Sequence, residues 1–121
     1  MKRRRHLQEL ELAHTLVDTL IDKKGSNIVL LDITEQAVFT DYFILCSGDN
    51  KRLLGALAED VVEAAREKAE RRPRGSEGDP AEGWMLVDFG DVIVHLFTPE
   101  ERSYYNLEEL WSDARVMIRV Q

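Results

Sequence analysis

Residues 84–111 read WMLVDFGDVIVHLFTPEERSYYNLEELW, and this stretch decides the fold. Two apolar runs flank residues 88–91, whose Asp-Phe-Gly-Asp composition is typical of a tight turn, because Gly accepts positive φ and Asp bonds its own backbone. The stretch therefore predicts a β-hairpin. Its second strand, residues 92–97, is apolar on both faces. A strand without a polar face predicts a place inside a sheet that helices cover.

The first half of the chain predicts a helix, two strands and a second helix. Apolar residues recur at helical spacing over residues 7–23. Residues 27–33 and 38–46 are rich in β-branched and aromatic residues, and the short linker between them favours an antiparallel pair. The second helix follows a cap at Asp49 or Asn50.

The second half of the chain adds the hairpin and less regular segments. Residues 71–83 contain two prolines and three glycines and predict a mobile surface loop. A short helix is predicted over residues 106–111, with Asn106 as its cap. Residues 115–120 alternate weakly, so an edge strand and an extension of the terminal helix both remain open. The order of elements predicts an α/β fold, a single layered domain with a mixed β-sheet flanked by helices.

Composition limits the compartment and the partners. The chain has 121 residues, enough for one core, and its lone Cys46 suits a reducing cytoplasm. No apolar run approaches the roughly 20 residues that a membrane span needs. The formal net charge of −7 argues against general nucleic-acid binding and favours a basic protein partner.

The sequence motifs that could indicate catalysis or metal binding are weak. Residues 88–90 match the metal-binding tripeptide of kinases, but the chain has no upstream catalytic loop, so the match is due to chance. Cys46 could be approached only by His95, and we predict a buried structural cysteine and a hydrogen-bonded core histidine. His14 has no other ligand at metal-binding spacing. The sequence predicts no catalytic residue, no metal site and no cofactor.

Two features leave alternatives open. Trp84, Tyr104, Tyr105 and Trp111 lie among acidic residues, and aromatic side chains in this setting serve either the margin of a core or a protein-binding hot spot. Asp41 interrupts a predicted strand, where Asp is disfavoured. It marks either a bulge or edge position or a polar group presented to a partner.

The run from Trp84 to Phe97, followed by Pro99-Glu100, Tyr104-Tyr105 and Leu107-Glu108-x-Leu110-Trp111, resembles the motif of the ribosomal silencing factor (Iojap-like) family. Thr40-Asp41-Tyr42-Phe43 and Ser47-Gly48 resemble the second motif of that family. The resemblance covers residues 7–112. It leaves residues 1–6 as a flexible basic N-terminal arm and residues 113–121 as a C-terminal extension of uncertain structure.

The resemblance implies a nucleotidyltransferase-like fold without the catalytic carboxylates of those enzymes. Gly25-Ser26 is present, but the strand after it offers only Asp32 where two carboxylates are needed to hold the metals. The implied function is non-enzymatic. The resemblance implies a factor that binds the large ribosomal subunit through its basic ribosomal protein L-fourteen, blocks association with the small subunit sterically, and represses translation under nutrient limitation. Ten residues are the predicted partner-binding site: Thr40, Asp41, Tyr42, Trp84, Asp88, Gly90, Asp91, Tyr104, Tyr105 and Trp111.

The remaining expectations concern partners and competing functions. Lys2, Arg3, Arg4 and Arg5 predict a minor contact with ribosomal RNA phosphates. The resemblance also implies a homodimer off the ribosome, and the lack of a long apolar run predicts no membrane partner. The alternatives are a metal-dependent nucleotidyltransferase-like enzyme and a homodimeric scaffold without a ribosomal role. Nucleotide and magnesium binding would distinguish the enzyme from the silencing factor.

Overall fold

The computed structural model describes the backbone of residues 2–121 and the side chains of residues 8–121. Its elements in chain order are α1 Lys2–Asp22, β1 Ser26–Asp32, β2 Tyr42–Ser47, α2 Lys51–Ala69, β3 Gly75–Asp79, β4 Trp84–Asp88, β5 Val92–Phe97, α3 Pro99–Tyr105, α4 Leu107–Leu110 and β6 Arg115–Val120. The six strands form one sheet in the order β3-β4-β5-β2-β1-β6. Only β2 and β5 run parallel among neighbouring strands, so the predicted α/β fold with a mixed sheet is confirmed.

The central strands β2 and β5 are buried on both faces of the sheet, as the apolar pattern of residues 92–97 predicts. Val94 and Leu96 point into the main core, which α1 and α2 close with residues such as Leu16 and Leu57. Ile93 points to the other face and into a smaller core. Hydrophobic burial on both faces therefore holds the hairpin at the centre of the molecule.

The smaller core is closed by short segments rather than by a long helix. Phe43 and Leu45 of β2 pack there with Ala114, and half-buried Leu107 and Trp111 lie against them. The segment between β5 and β6 therefore covers this second face of the sheet.

Within residues 2–121, no helix combines the length and the apolar character needed to cross a bilayer.

Several predicted boundaries are confirmed or shifted by a few residues. The hairpin of β4 and β5 and the antiparallel pair of β1 and β2 form as predicted. Asn50 caps α2, where its side chain accepts a 2.8 Å bond from the Leu53 amide. The second strand begins at Tyr42 rather than at residue 38, so Asp41 lies just before the strand and does not interrupt it.

The predicted surface loop over residues 71–83 was wrong in part, because it contains the edge strand β3 and a 3₁₀ turn at Pro80–Glu82. All five residues of β3, Gly-Ser-Glu-Gly-Asp, are exposed. This strand has no apolar face and forms because β4 offers an unpaired edge. A strand with that origin leaves no hydrophobic pattern in the sequence.

The two ends of the chain differ from prediction in distinct ways. The backbone of α1 begins at Lys2, five residues before the predicted start, while the side chains of the basic residues 2–5 lie outside the described ones. Helix α3 begins at Pro99, where no helix was predicted. Asn106 ends α3 in the left-handed region with φ of 46°, and its side chain makes no cap bond to α4. The C-terminal residues form an edge strand, β6, beside β1.

Gly25 is needed for close packing rather than for its backbone conformation. Lys24 takes the left-handed position with φ of 73°, and the Gly25 amide bonds the Leu20 carbonyl at 2.7 Å to close helix α1. A Cβ on Gly25 would lie 2.5 Å from Cys46 Sγ and 3.0 Å from the Leu20 oxygen. The end of α1 therefore rests directly on β2.

We expect Gly25→Ala to lower the free energy of unfolding by about 2–3 kcal/mol, because the added methyl overpacks a buried site. Adding Cys46→Ala should reduce that cost, because the nearer of the two colliding atoms is removed. Urea denaturation of the four members of the double-mutant cycle measures this coupling. Gly75→Ala is the matched control, since a Cβ there meets no atom within 4 Å. An unchanged cost in the Cys46→Ala background would contradict the contact.

Candidate functional site

Apolar side chains remain exposed or half-buried on the second face of the sheet. We call this surface the aromatic face, and its members are Phe39, Trp84, Tyr104, Tyr105, Leu110 and Trp111. Tyr104 is 79% exposed and Leu110 is 72% exposed. Exposed apolar groups that cluster in this way mark interaction surfaces more often than scattered ones do.

Ring contacts connect one end of the aromatic face to the core. The ring centroids of Tyr104 and Tyr105 lie 5.2 Å apart, and Tyr105 lies 6.4 Å from Trp84 and 5.8 Å from buried Phe97. Trp84 pairs with Phe97 across the hairpin. Tyr105 and Trp84 are therefore oriented by packing, while Tyr104 stands outermost.

The other end of the aromatic face is built around Trp111. Its ring meets Phe43 edge-on at 5.3 Å and Phe39 at 6.3 Å. Phe43 is buried in β2, whereas Phe39 is 58% exposed in the segment before that strand. Trp111 thus closes the smaller core with one side and contributes surface with the other.

Arg102 holds the short helices α3 and α4 against the sheet. Arg102 of α3 donates through Nη1 to the Asn27 carbonyl and to Ser47 Oγ, the latter at 3.0 Å. Its Nε donates to Glu108 Oε1 of α4 at 2.8 Å. These charge-assisted bonds fix α3 and α4 relative to β1 and β2, and so fix the positions of the tyrosines.

A second group of predicted residues lies at the starts of β2 and β5. The Asp91 carbonyl accepts bonds from the amides of both Asp41 and Tyr42, each at 3.0 Å. Carboxylate oxygens of Asp41, Asp91 and Glu9 all lie within 4.8 Å of one another. We call these three residues the carboxylate cluster. It joins helix α1 to the starts of β2 and β5.

Three negative charges at this separation repel one another, so a proton on Glu9 stabilises the carboxylate cluster. Glu9 is 2% exposed. Burial, with hydrogen bonds to Asp41 and Asp91, raises the pKa of its carboxyl to about 8. A proton on Glu9 supplies the donor that such contacts require. The same oxygens are hard ligands of the kind that Mg²⁺ or Ca²⁺ takes.

The remaining predicted residues, Thr40, Tyr42, Asp88 and Gly90, take part in packing or in the hairpin turn. Thr40 and Tyr42 are buried. Asp88 Oδ1 accepts a 2.7 Å bond from the Gly90 amide, and Gly90 has φ of 91°, which a residue with a Cβ adopts with strain. Asp88 and Gly90 therefore shape the hairpin turn that places Asp91.

The predicted hydrogen-bonded state of His95 was wrong. The side chain is buried as predicted, but neither ring nitrogen has a hydrogen-bond partner among the described residues. Burial lowers the pKa of His95 to about 4. Cys46 is buried in the main core, as predicted, and burial raises the pKa of its thiol to about 12. Cys46 and His95 point to opposite faces of the sheet, so they form no nucleophile–base pair.

Sequence reasoning missed four important residues. Phe39 and Leu110 add exposed apolar surface, Arg102 positions α3, and Glu9 completes the carboxylate cluster. Glu9 carries one available signal, since its neighbours Leu12, Ala13 and Leu16 place it on the buried side of α1. The others depend on contacts between distant segments.

A sequence profile of the family described as "ribosomal silencing factor during starvation" matches residues 6–121. The chain belongs to the ribosomal silencing factor family. The match includes β6, so the family domain extends beyond the predicted boundary at residue 112.

Curated relatives and a solved structure agree with this family. The ribosomal silencing factor of Halalkalibacterium halodurans is 38% identical over 104 residues, covering 86% of this chain and 88% of that protein. A mouse protein named mitochondrial assembly of ribosomal large subunit protein 1 is 34% identical over 80% of this chain and 43% of its own length. A crystal structure from Chromobacterium violaceum superposes with a TM-score of 0.81 at 37% identity, covering 85% of each chain.

Proposed function

We propose that this family member binds the large ribosomal subunit through the aromatic face and blocks association with the small subunit. The observation that best supports this proposal is the exposed apolar surface of the aromatic face. Trp84, Tyr105 and Trp111 are oriented by packing, yet they lie beside the exposed Tyr104 and Leu110. Oriented aromatic side chains surrounded by polar groups are the usual composition of a binding hot spot.

Charge supports a basic partner on the ribosome. The chain carries a net charge of −7, and acidic residues lie between the aromatic ones along the same segment, at Glu100, Glu101, Glu108 and Glu109. Opposite charge accelerates encounter and disfavours acidic competitors. We propose the basic ribosomal protein L-fourteen as the docking partner, with translation repressed under nutrient limitation as the outcome.

The proposed mechanism is steric and uses no catalytic group. A bound domain on the joining face of the large subunit occupies the space that the small subunit needs. The carboxylates of Asp32 in β1 and Asp88 in the hairpin accept hydrogen bonds within turns. Asp32 Oδ1 accepts bonds from the Thr34 amide and hydroxyl, at 3.0 and 2.6 Å, as Asp88 does from Gly90.

The N-terminal arm and the aromatic face take part in two further proposed contacts, with ribosomal RNA and with a second copy of the chain. The basic residues 2–5 contact ribosomal RNA phosphates, which would make part of the affinity dependent on salt. Off the ribosome, the aromatic face is covered by a second copy of the chain. Binding to the ribosome and self-association then compete for one surface.

Sucrose-gradient sedimentation tests the proposed function. We expect the protein to comigrate with purified large subunits and not with small subunits, and to reduce the yield of joined ribosomes when the two subunits are mixed. Absence from the large-subunit fractions at low salt would overturn the proposal. Comigration without any loss of joined ribosomes would reject the steric mechanism while keeping the binding site.

The carboxylate cluster favours one second candidate function, a metal-dependent nucleotidyltransferase-like enzyme. Three carboxylates within 4.8 Å form a ligand set that sequence reasoning did not pair. Calorimetric titration with Mg²⁺ and a nucleoside triphosphate tests it. Micromolar binding that Asp41→Asn abolishes would support the enzyme, whereas the silencing function predicts no such binding.

A further inference from the structure

A small cavity opens at the aromatic face, between two of its residues, Trp84 and Tyr105. Its volume is about 160 Å³, and it is lined by Trp84, His95, Phe97, Tyr105 and Leu107. We call it the His95 cavity. A hydrophobic cavity of roughly 150 Å³ in a protein accommodates one benzene ring. The size of the His95 cavity therefore suits a single six-membered ring.

His95 is the polar group of this cavity whose hydrogen bonds are unmade. The side chain is 7% exposed, and no described group bonds either ring nitrogen. The imidazole is held among rings, edge-on to Phe43 at 4.7 Å and parallel to Phe97 at 6.1 Å. Buried polar groups without partners are rare, so each one calls for an explanation.

The cavity selects against charged ligands. Its walls are aromatic and aliphatic, and they contain no carboxylate, lysine or arginine side chain to pair with an ion. His95 itself is neutral near pH 7, because burial lowers its pKa. A neutral imidazole offers one donor nitrogen and one acceptor nitrogen, so it pairs well with a hydroxyl group.

We propose that the His95 cavity binds one uncharged aromatic ring that carries a hydroxyl group, as in a phenol. The ring fills the space between Trp84, Phe97 and Tyr105. A rotation of the imidazole about its Cβ–Cγ bond turns a nitrogen towards the ligand, a torsion that is broad in histidine. This inference does not depend on ribosome binding, and it stands or falls by itself.

Titration with phenol and with toluene, followed by ¹⁵N resonances of the His95 ring in the intact protein, tests the proposal. The two probes have nearly the same shape, but only phenol carries the hydroxyl. We expect phenol to bind about tenfold more tightly than toluene and to shift the His95 nitrogen resonances, because one good hydrogen bond is worth about this factor. If neither phenol nor toluene binds at millimolar concentration, the proposal is overturned.

Two variants make the assignment specific. His95→Phe keeps a flat ring but removes both nitrogens, so the preference for phenol over toluene should disappear. A preference that persists in this variant would contradict the role of His95. Leu107→Trp fills the cavity from its half-exposed rim and should abolish binding of both probes. Binding that survives in Leu107→Trp would place the ligand elsewhere.

A third probe distinguishes two natural sources of the same chemistry. N-acetyltyrosinamide carries the phenol ring together with the backbone of a protein residue. If it binds with the same dependence on His95, the occupant is a tyrosine of another chain. If phenol binds and the amide does not, the occupant is a free small molecule. Both results support the phenol site.

Discussion

Replacing Tyr104 and Leu110 together by alanine is expected to weaken binding to the large ribosomal subunit by about 100-fold or more, which corresponds to roughly 2.7 kcal/mol. The two side chains are 79% and 72% exposed and pack little against the core. Truncating them should change the free energy of unfolding by less than about 0.5 kcal/mol. The variant therefore separates binding from folding.

The matched control is Ile21→Ala. Ile21 is also an exposed apolar residue, but it belongs to α1, which covers the opposite face of the sheet. Its truncation should leave ribosome binding unchanged. Sedimentation with large subunits, together with a urea denaturation curve for each variant, gives both readouts. Equal binding by wild type and the double variant would remove the aromatic face from the interface.

A Glu9→Gln variant is expected to be more stable than wild type at pH 8, and this advantage should disappear near pH 5. In the folded protein, burial and hydrogen bonds to Asp41 and Asp91 raise the pKa of Glu9 from 4.5 to about 8. A raised carboxyl pKa means that folding favours the protonated form. The stabilising proton is fully available below pH 4.5 and is lost as pH rises through 8.

The expected difference in the free energy of unfolding between wild type and Glu9→Gln follows from the same pKa shift. A change from 4.5 to about 8 would amount to roughly 5 kcal/mol for a fully enclosed group. The cluster lies near the surface, where Asp41 and Asp91 are partly exposed, so screening reduces this to about 2 kcal/mol. Glutamine keeps a donor at every pH and should preserve the contacts to the two aspartates.

Urea denaturation of wild type and Glu9→Gln between pH 5 and pH 9 measures the difference directly. Glu11→Gln serves as the control, because it removes a carboxylate from an exposed position on the same helix. A constant difference between wild type and Glu9→Gln over this range would mean that Glu9 holds no shared proton.

The local patterns of this sequence determined most of the framework. The continuous apolar run over residues 92–97 identified a strand buried on both faces, and the turn at 88–91 identified its partner. The cap of α2 was recognisable as Asp49 or Asn50, because capping needs only neighbouring residues, and the structure selects Asn50. The motifs around Thr40 and Trp84 indicated the family that the profile over residues 6–121 confirms.

Only the tertiary structure decided how the predicted site is divided. It places Tyr104, Tyr105 and the tryptophans on one face, and it brings Asp41 and Asp91 to Glu9 of a distant helix. It also forms β3 from an exposed sequence with no apolar pattern. Hydrophobic periodicity shows which side of a helix or strand is buried. It does not show which distant segments the folded core brings together. Edge-strand pairing, the contacts of the carboxylate cluster and the positions of half-buried aromatic rings depend on those distant segments.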